Sequence, residues 1–262
     1  MENENILKAR KIDICICIKN RENFVKVIID ILSKITKNID CNTIFVDGMS
    51  NDKTCAKLVD FYNTHKENCI IRQLSENDST YVNAYNKALN ECVSEYVCWL
   101  DSDDTCDISK LEVQSKFLDE HQDVDVVSCS TFFGEKKALI NSLIELNNEQ
   151  ITKGLENGAG MKEICHFQSC MFRRKCINIF KKNIYFYPEF IGGYAGEGFL
   201  YVLHFNGMKF ANITNTYYAY SKGLFDDSLT CNIDPLFAKE LDSKSYEEKK
   251  KEINKLFKKY NK

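Results

Sequence analysis

A mixed α/β fold built on a mostly parallel sheet is what this 262-residue sequence predicts. Three observations predict it. Short β-branched runs alternate with amphipathic stretches along roughly the first hundred residues. The links between successive runs have the length of crossover connections, not of hairpins. A polar cluster follows three of the runs, where ligands of parallel sheets gather beyond the strand ends.

The elements follow in order. KIDICICI (11–18) is a strand whose Cys15 and Cys17 share one face. NFVKVIIDILSKI (23–35) is a helix with Phe24, Val27, Ile28, Ile31, Leu32 and Ile35 as its apolar stripe. NTIFVD (42–47) is the second strand, and Asp52 and Thr54 cap the helix that carries Leu58, Val59, Phe61 and Tyr62. CIIRQL (69–74) is the third strand, Tyr81 to Cys92 a helix, and EYVCWLD (95–101) the fourth strand. Beyond 108 the pattern loosens. A helix is expected from Ile108 to about His121 and a strand over 124–130. Residues 136–160 read as a helix followed by a Gly- and Asn-rich loop. CHFQSCMFRR reads as strand into helix, and GGYAGEGFLYVLHFNG as loop into helix. One domain spans 1–240, and 241–262 form a charged helix with a narrow stripe of Ile253, Leu256, Phe257 and Tyr260. That stripe suits packing on the domain or on a sister subunit, with peripheral contact to an anionic membrane as the lesser reading.

Composition narrows the function. The net charge of −3 provides no basic field for nucleic acid. No apolar run reaches the ~20 residues of a membrane span, and the N-terminus is no signal peptide, so a cytoplasmic protein is expected. Thirteen cysteines without a C-x-x-C pair read as reduced, buried thiols, Cys165, Cys170 and Cys176 beside His166 included.

The stretch YVCWLDSDDTCD (96–107) gathers carboxylates at 101, 103, 104 and 107. Two carboxylates about 4 Å apart repel by roughly 1 kcal/mol in water and by more in a cleft. Lys19 to Glu22, Asp47 and Asp101 to Asp104 close the first, second and fourth strands, so all three clusters lie on one sheet edge. No glycine precedes Gly48, which removes a phosphate-binding loop after the first strand, and no nucleophile elbow occurs. A divalent cation on Asp101 and Asp103, gripping a diphosphate, is the chemistry that remains.

Four motifs in order resemble family 2 glycosyltransferases of the polysaccharide-biosynthesis type. IKNRE resembles the first-strand nucleotide loop T-x-N-R. FVDGMSNDKT resembles V-D-[DG]-G-S-x-D-x-T, with Asp47, Ser50, Asp52 and Thr54 at matching positions and Gly48 in place of a second Asp. SENDSTYVNAYNKALNECVSEYVCWLDSDD resembles the S-E-x-D block that ends in the D-x-D motif, here Asp101-Ser102-Asp103. Further on, HFQSCMFRR resembles the acceptor-side strand. GEGFLYVLHFNG resembles the helix that carries the base, with Gly198 where Asp is common.

The resemblance implies the GT-A fold, a Rossmann-like sheet whose 1–105 half binds nucleotide and whose 106–240 half binds acceptor. It implies an inverting, Mn²⁺- or Mg²⁺-dependent transfer of a hexosyl or N-acetylhexosaminyl group. The donor would be a nucleoside diphosphate sugar, expected to be UDP-linked, and the acceptor a glycan, lipid-linked or protein hydroxyl. Lys19, Asn20, Arg21, Asp47, Ser50, Asp78, Lys87, Asp101, Ser102 and His166 would contact the donor. Asp101 and Asp103 would hold the metal, and Glu197 would be the general base. A catalytically inactive nucleotide-sugar binding protein is the alternative, and a homo-oligomer is compatible with the aromatic C-terminal third.

Overall fold

A computed structural model describes residues 7–78, 80–133, 138–139, 144–190, 194–220 and 236–262. Strands β1 (Ile12–Ile18), β2 (Cys41–Asp47), β3 (Cys69–Gln73) and β4 (Tyr96–Trp99) form a parallel unit in the order β3-β2-β1-β4. Helices α1 (Val25–Ile35), α2 (Thr54–Thr64) and α3 (Tyr81–Asn90) cross between them. Beyond β4 the sheet continues through β8 (Met171–Arg173), β6 (Val126–Phe133), β9 (Phe210–Tyr220) and the short β5 (Thr105–Cys106). β7 (Ala138–Leu139) pairs with β6. β8 is antiparallel to both β4 and β6, so β6 and β9 again run in the direction of β1. The ends of β1, β2, β3 and β4 therefore open on one edge, as the sequence predicts.

Both faces of the sheet are covered, which is why its strands are apolar on both sides. Ile12, Ile14, Ile16 and Ile18 of β1 join α1, α2 and α4 (Lys110–Glu120), while Cys15 turns to the face covered by α3. That second face also receives α5 (Asn148–Glu156), α6 (Met161–Ile164), α7 (Ala195–Phe205) and α9 (Tyr246–Asn261), with α8 (Leu236–Asp242) alongside. All cysteines among the described residues are free thiols.

Several expectations shift in detail. The buried stripe of α1 is Val25, Ile28, Leu32 and Ile35, and Val27 is about half exposed, because the 25–28–32–35 spacing follows the helical period more closely than the stripe read from Phe24. Of the helix expected from 136, residues 136–137 and 140–143 lie outside the described residues, while 138–139 form the strand β7 and α5 occupies the stretch read as loop. Asn147 and Gln150 form a reciprocal capping box there and start the helix. The C-terminal stripe packs on this chain: Phe257 meets Phe180, Tyr260 stacks on Tyr187, and Ile253 and Leu256 are buried. No helix among the described residues is long and apolar enough to cross a membrane.

One buried carboxylate ties the back of the parallel unit together. Asp13, fully buried in β1, accepts from Val93 N (2.6 Å), Ser94 N (2.7 Å), Ser94 Oγ (2.6 Å) and Asn42 Nδ2 (2.8 Å). It fixes the turn between α3 and β4, and so the register from which β4 delivers its acidic end. Asp13→Ala is expected to lower unfolding free energy by about 3 kcal/mol in urea titrations, since it strands several buried donors at once; a change below about 1 kcal/mol would deny it that role.

Candidate active site

The loops after β1 and β2 are stitched to each other by alternating bonds. Asn20 N donates to Ser50 Oγ (2.9 Å), and Asn51 N donates back to Asn20 Oδ1 (2.9 Å). Arg21 N donates to Thr54 Oγ1 (2.7 Å), Glu22 N to Asp52 Oδ2 (3.1 Å), and Lys53 N to Glu22 Oε2 (3.0 Å). Asp52 and Thr54 do not form the expected cap, since Lys53 is the N-cap of α2 and no side-chain cap bond is made there, although Asp52 Oδ1 accepts from Thr54 N (2.9 Å). Both residues hold the first loop in place, with Asn20 in the left-handed region at φ 51°. Asp47 is fully buried and accepts from Ser50 N and Oγ and from Gln73 Nε2 (3.0 Å), so its carboxylate shapes the second loop from within. Lys19 is exposed, its stem lying over Gly48.

Across from this double loop lies the acidic end of β4. Asp103 is partly exposed and sits 3.7 Å from Nη2 of the largely buried Arg21. Ser102 and Asp104 are buried in the turn. Asp101 is held from three elements: Gln168 Nε2 donates to its Oδ2 (2.9 Å), Tyr85 Oη to its Oδ1 (3.4 Å), and its own amide donates to Tyr218 Oη (3.2 Å). Tyr218 in turn donates to Asp104 Oδ2 (2.7 Å). Tyr218 reaches this place because β9 bulges between Ile213 and Tyr217 opposite β6 and then pairs with β5. His166, half-buried, opens the 3-10 turn Phe167–Ser169 and lies 6.5 Å, ring to ring, from Tyr218.

Burial, and then the charge of Asp103, push the Asp101 carboxyl up to about 7, against the pull of the Gln168 and Tyr85 hydrogen bonds. A divalent cation between the two side chains would relieve that repulsion, and the oxygen donors suit Mg²⁺ or Mn²⁺. Among the described residues no group of three or more His, Cys, Asp or Glu converges as a metal site, so phosphate and water oxygens would complete the shell.

Asp78, Lys87 and Glu197 lie on three other elements. Asp78 is exposed in the 3-10 turn Glu76–Asp78, where its Oδ2 accepts from Ser75 Oγ (2.9 Å). Lys87 is half-buried on α3; Tyr85 of the same helix reaches Asp101. Glu197 stands in the first turn of α7 between two tight contacts. A Cβ on Gly196 would lie 2.2 Å from the Phe167 ring, and one on Gly198 would lie 2.4 Å from the Phe190 ring. Gly196 lets α7 seat against the turn that carries Gln168, and Gly198 lets it seat against Phe190. The Glu197 carboxylate accepts from Lys162 N (3.4 Å) of α6. Burial, then the charge of Asp242, push it up to about 7, offset by Lys162 and Lys249. Its described surroundings are thus α6, α8 and α9, with no contact to the Asp101–Asp103 pair.

Comparison with known proteins decides the family. The sequence profile of Glycosyl transferase family 2 matches residues 13–180. The chain belongs to glycosyl transferase family 2. It is a glycosyltransferase of GT-A fold, and no curated protein matches it in sequence. Among solved structures it resembles TarS 1-349 of S. aureus in complex with UDP-GlcNAc, with a TM-score of 0.68 at 18% identity over 93% of this chain and 70% of that one. It spans 42% of the longer TarS chain. It also resembles the mannosyltransferase PcManGT of Pyrobaculum calidifontis with GDP-Man and Mn²⁺ (TM-score 0.59, 16% identity, 81% and 57% covered). A third is glucosyl-3-phosphoglycerate synthase of Mycobacterium tuberculosis with Mn²⁺, UDP and glucosyl-3-phosphoglycerate (0.54, 14%, 79% and 71%). At these identities the likeness speaks for the fold.

The family 2 chain should show a pH signature from Glu197. Its carboxyl is raised from an ordinary 4.5 to about 7 in the folded state, so stability falls as pH rises through that window and stays lower above it. Glu197→Gln is expected to be more stable than the parent by up to about 3 kcal/mol at pH 8, and equal to it near pH 4. Urea titrations at the two pH values check this; a variant no more stable at pH 8 would contradict it.

Proposed function

We propose that this family 2 enzyme is an inverting, metal-dependent transferase. It moves a hexosyl or N-acetylhexosaminyl group from a UDP donor to a hydroxyl of a glycan, lipid-linked or protein acceptor. The observation that carries the reading is the opposition of Asp101 and Asp103 to the stitched Asn20–Arg21 and Ser50–Thr54 loops across one sheet edge. The loops offer a fixed cradle for a nucleoside, and Arg21 a largely buried guanidinium for a diphosphate. UDP is favoured because TarS was solved with UDP-GlcNAc and the glucosyl-3-phosphoglycerate synthase with UDP. Asp47, its oxygens engaged by Ser50 and Gln73, would set the shape of the base site through the loop it braces. The free thiols fit a reducing, cytoplasmic setting.

Mn²⁺ or Mg²⁺ held by Asp101 and Asp103 would stabilise negative charge on the leaving diphosphate. His166 and Ser102 would meet the donor at the same end, and Lys19, Asp78 and Lys87 would meet it on the nucleotide side. In a single displacement the acceptor oxygen bonds to the anomeric carbon as the carbon–phosphate oxygen bond breaks. Glu197 would take the acceptor proton, a task for which a carboxyl raised to about 7 is well matched.

A second reading, a nucleotide-sugar binder without turnover, is favoured by one observation: the Glu197 carboxylate faces α6, α8 and α9 and not the acidic pair. A panel of nucleotide sugars with Mn²⁺, assayed for transfer and for slow donor hydrolysis, separates the two. The transferase reading expects turnover that Asp103→Ala abolishes together with Mn²⁺-dependent UDP binding. It expects Glu197→Gln to lose about 10²-fold or more in kcat with UDP binding unchanged. Tight donor binding with no turnover in the parent would establish the second reading, and full activity in Asp103→Ala would overturn the first.

A further inference from the structure

We infer that Gln168, assisted by Tyr85, is a positioning residue that presents Asp101 to a divalent cation; this rests on the metal-dependent reading above. Gln168 is nine-tenths buried, and its Nε2 donates to Asp101 Oδ2 at 2.9 Å. Tyr85 Oη takes the other oxygen at 3.4 Å, from the opposite side of the chain order. One oxygen of Asp101 is thus fixed by the acceptor-side half and the other by the nucleotide-side half. The carboxylate plane is set before any ligand arrives, and each oxygen keeps a lone pair unspent.

The turn that bears Gln168 is braced on every side. Ser169 Oγ and Ser169 N both donate to His166 O (2.6 and 2.9 Å), and Cys170 N donates to Phe167 O (3.0 Å). Gln114 Nε2 donates to Ser169 O (2.8 Å) and Val127 O (3.1 Å), joining the turn to α4 and β6. Phe167 packs against Trp99, Tyr85, Phe186 and Phe199, and its ring fills the space that a Cβ on Gly196 would need. Such bracing holds a buried amide in one orientation. It suits a donor whose angle toward a ligand carboxylate matters, because outer partners of metal ligands set both orientation and basicity. Tyr85 is locked likewise: its ring contacts Trp99, Phe167 and Phe186, and its hydroxyl is also bonded to that of Tyr81.

The test uses the full chain, with Mn²⁺ and UDP as probes. Mn²⁺ affinity is read by electron paramagnetic resonance of the free ion at saturating UDP, and UDP affinity by calorimetry in EDTA. Gln168→Met keeps length and volume but removes the donor. It is expected to weaken Mn²⁺ binding about tenfold or more, while UDP affinity in EDTA stays within about twofold. Tyr85→Phe, which removes a hydroxyl only, is expected to weaken Mn²⁺ binding by about threefold, in keeping with its longer bond, and serves if Gln168→Met fails to fold. Mn²⁺ affinity within twofold of the parent in the folded variants would overturn the inference and leave the metal reading standing. Equal loss of UDP affinity in EDTA would also overturn it, because the residue would then support the whole pocket. UDP binding indifferent to Mn²⁺ in the parent itself would remove the metal reading and the inference together.

Discussion

Two like charges are kept side by side at the end of β4, and the fold around them is arranged to tolerate it. Burial, and then the charge of Asp103, make Asp101 costly to ionise, so its carboxyl rises to about 7. Against that stand an amide from the Phe167–Ser169 turn, a phenol from α3 and a guanidinium from the β1 loop. Each comes from a different part of the chain, and each is delivered by packed elements. The back of the sheet contributes as well, since Asp13 fixes the turn from which β4 starts. A domain that spends this many buried contacts on one acidic tip is organised around that tip.

Much of this was legible in the chain. Apolar runs that end in carboxylates, joined by connections too long for hairpins, identify the parallel sheet and the edge at which its acidic strand ends gather. The residues 13–180 covered by the family 2 profile include every motif on which the resemblance stands, except the GEGF segment of α7. Less legible were contacts made across long sequence separations. Tyr218 reaches Asp101 only through the bulge that shifts β9 by several residues against β6, and nothing in the alternation of TNTYYAY announces it. Gln168 lies between two half-apolar stretches and carries no pattern of its own. The α1 stripe read from Phe24 includes the half-exposed Val27 and leaves out the buried Val25, because the residue types are equally apolar and only the tighter 25–28–32–35 period separates them.

The first turn of α7 gives the sharpest contrast between motif and geometry. Read as a string, Gly196-Glu197-Gly198 is an eroded acidic motif. In the fold both glycines are required by space, since Phe167 and Phe190 stand where any side chain would go. At Gly196 the helix therefore approaches the Gln168 turn more closely than one with a larger residue could. Glu197 itself is held between opposite charges from α6, α8 and α9, near the midpoint of its titration at neutral pH. The C-terminal helix is thereby part of the environment of Glu197, and its apolar stripe is consumed on Phe180 and Tyr187.

The account is tested most directly by anomalous scattering from crystals grown with Mn²⁺ and UDP. It predicts one strong manganese peak within bonding distance of Asp101 and Asp103 carboxylate oxygens, with the diphosphate beside it and the uridine in the loops that Asn20 and Ser50 stitch together. A diphosphate bound elsewhere, or bound there with no manganese at the acidic tip, would contradict it.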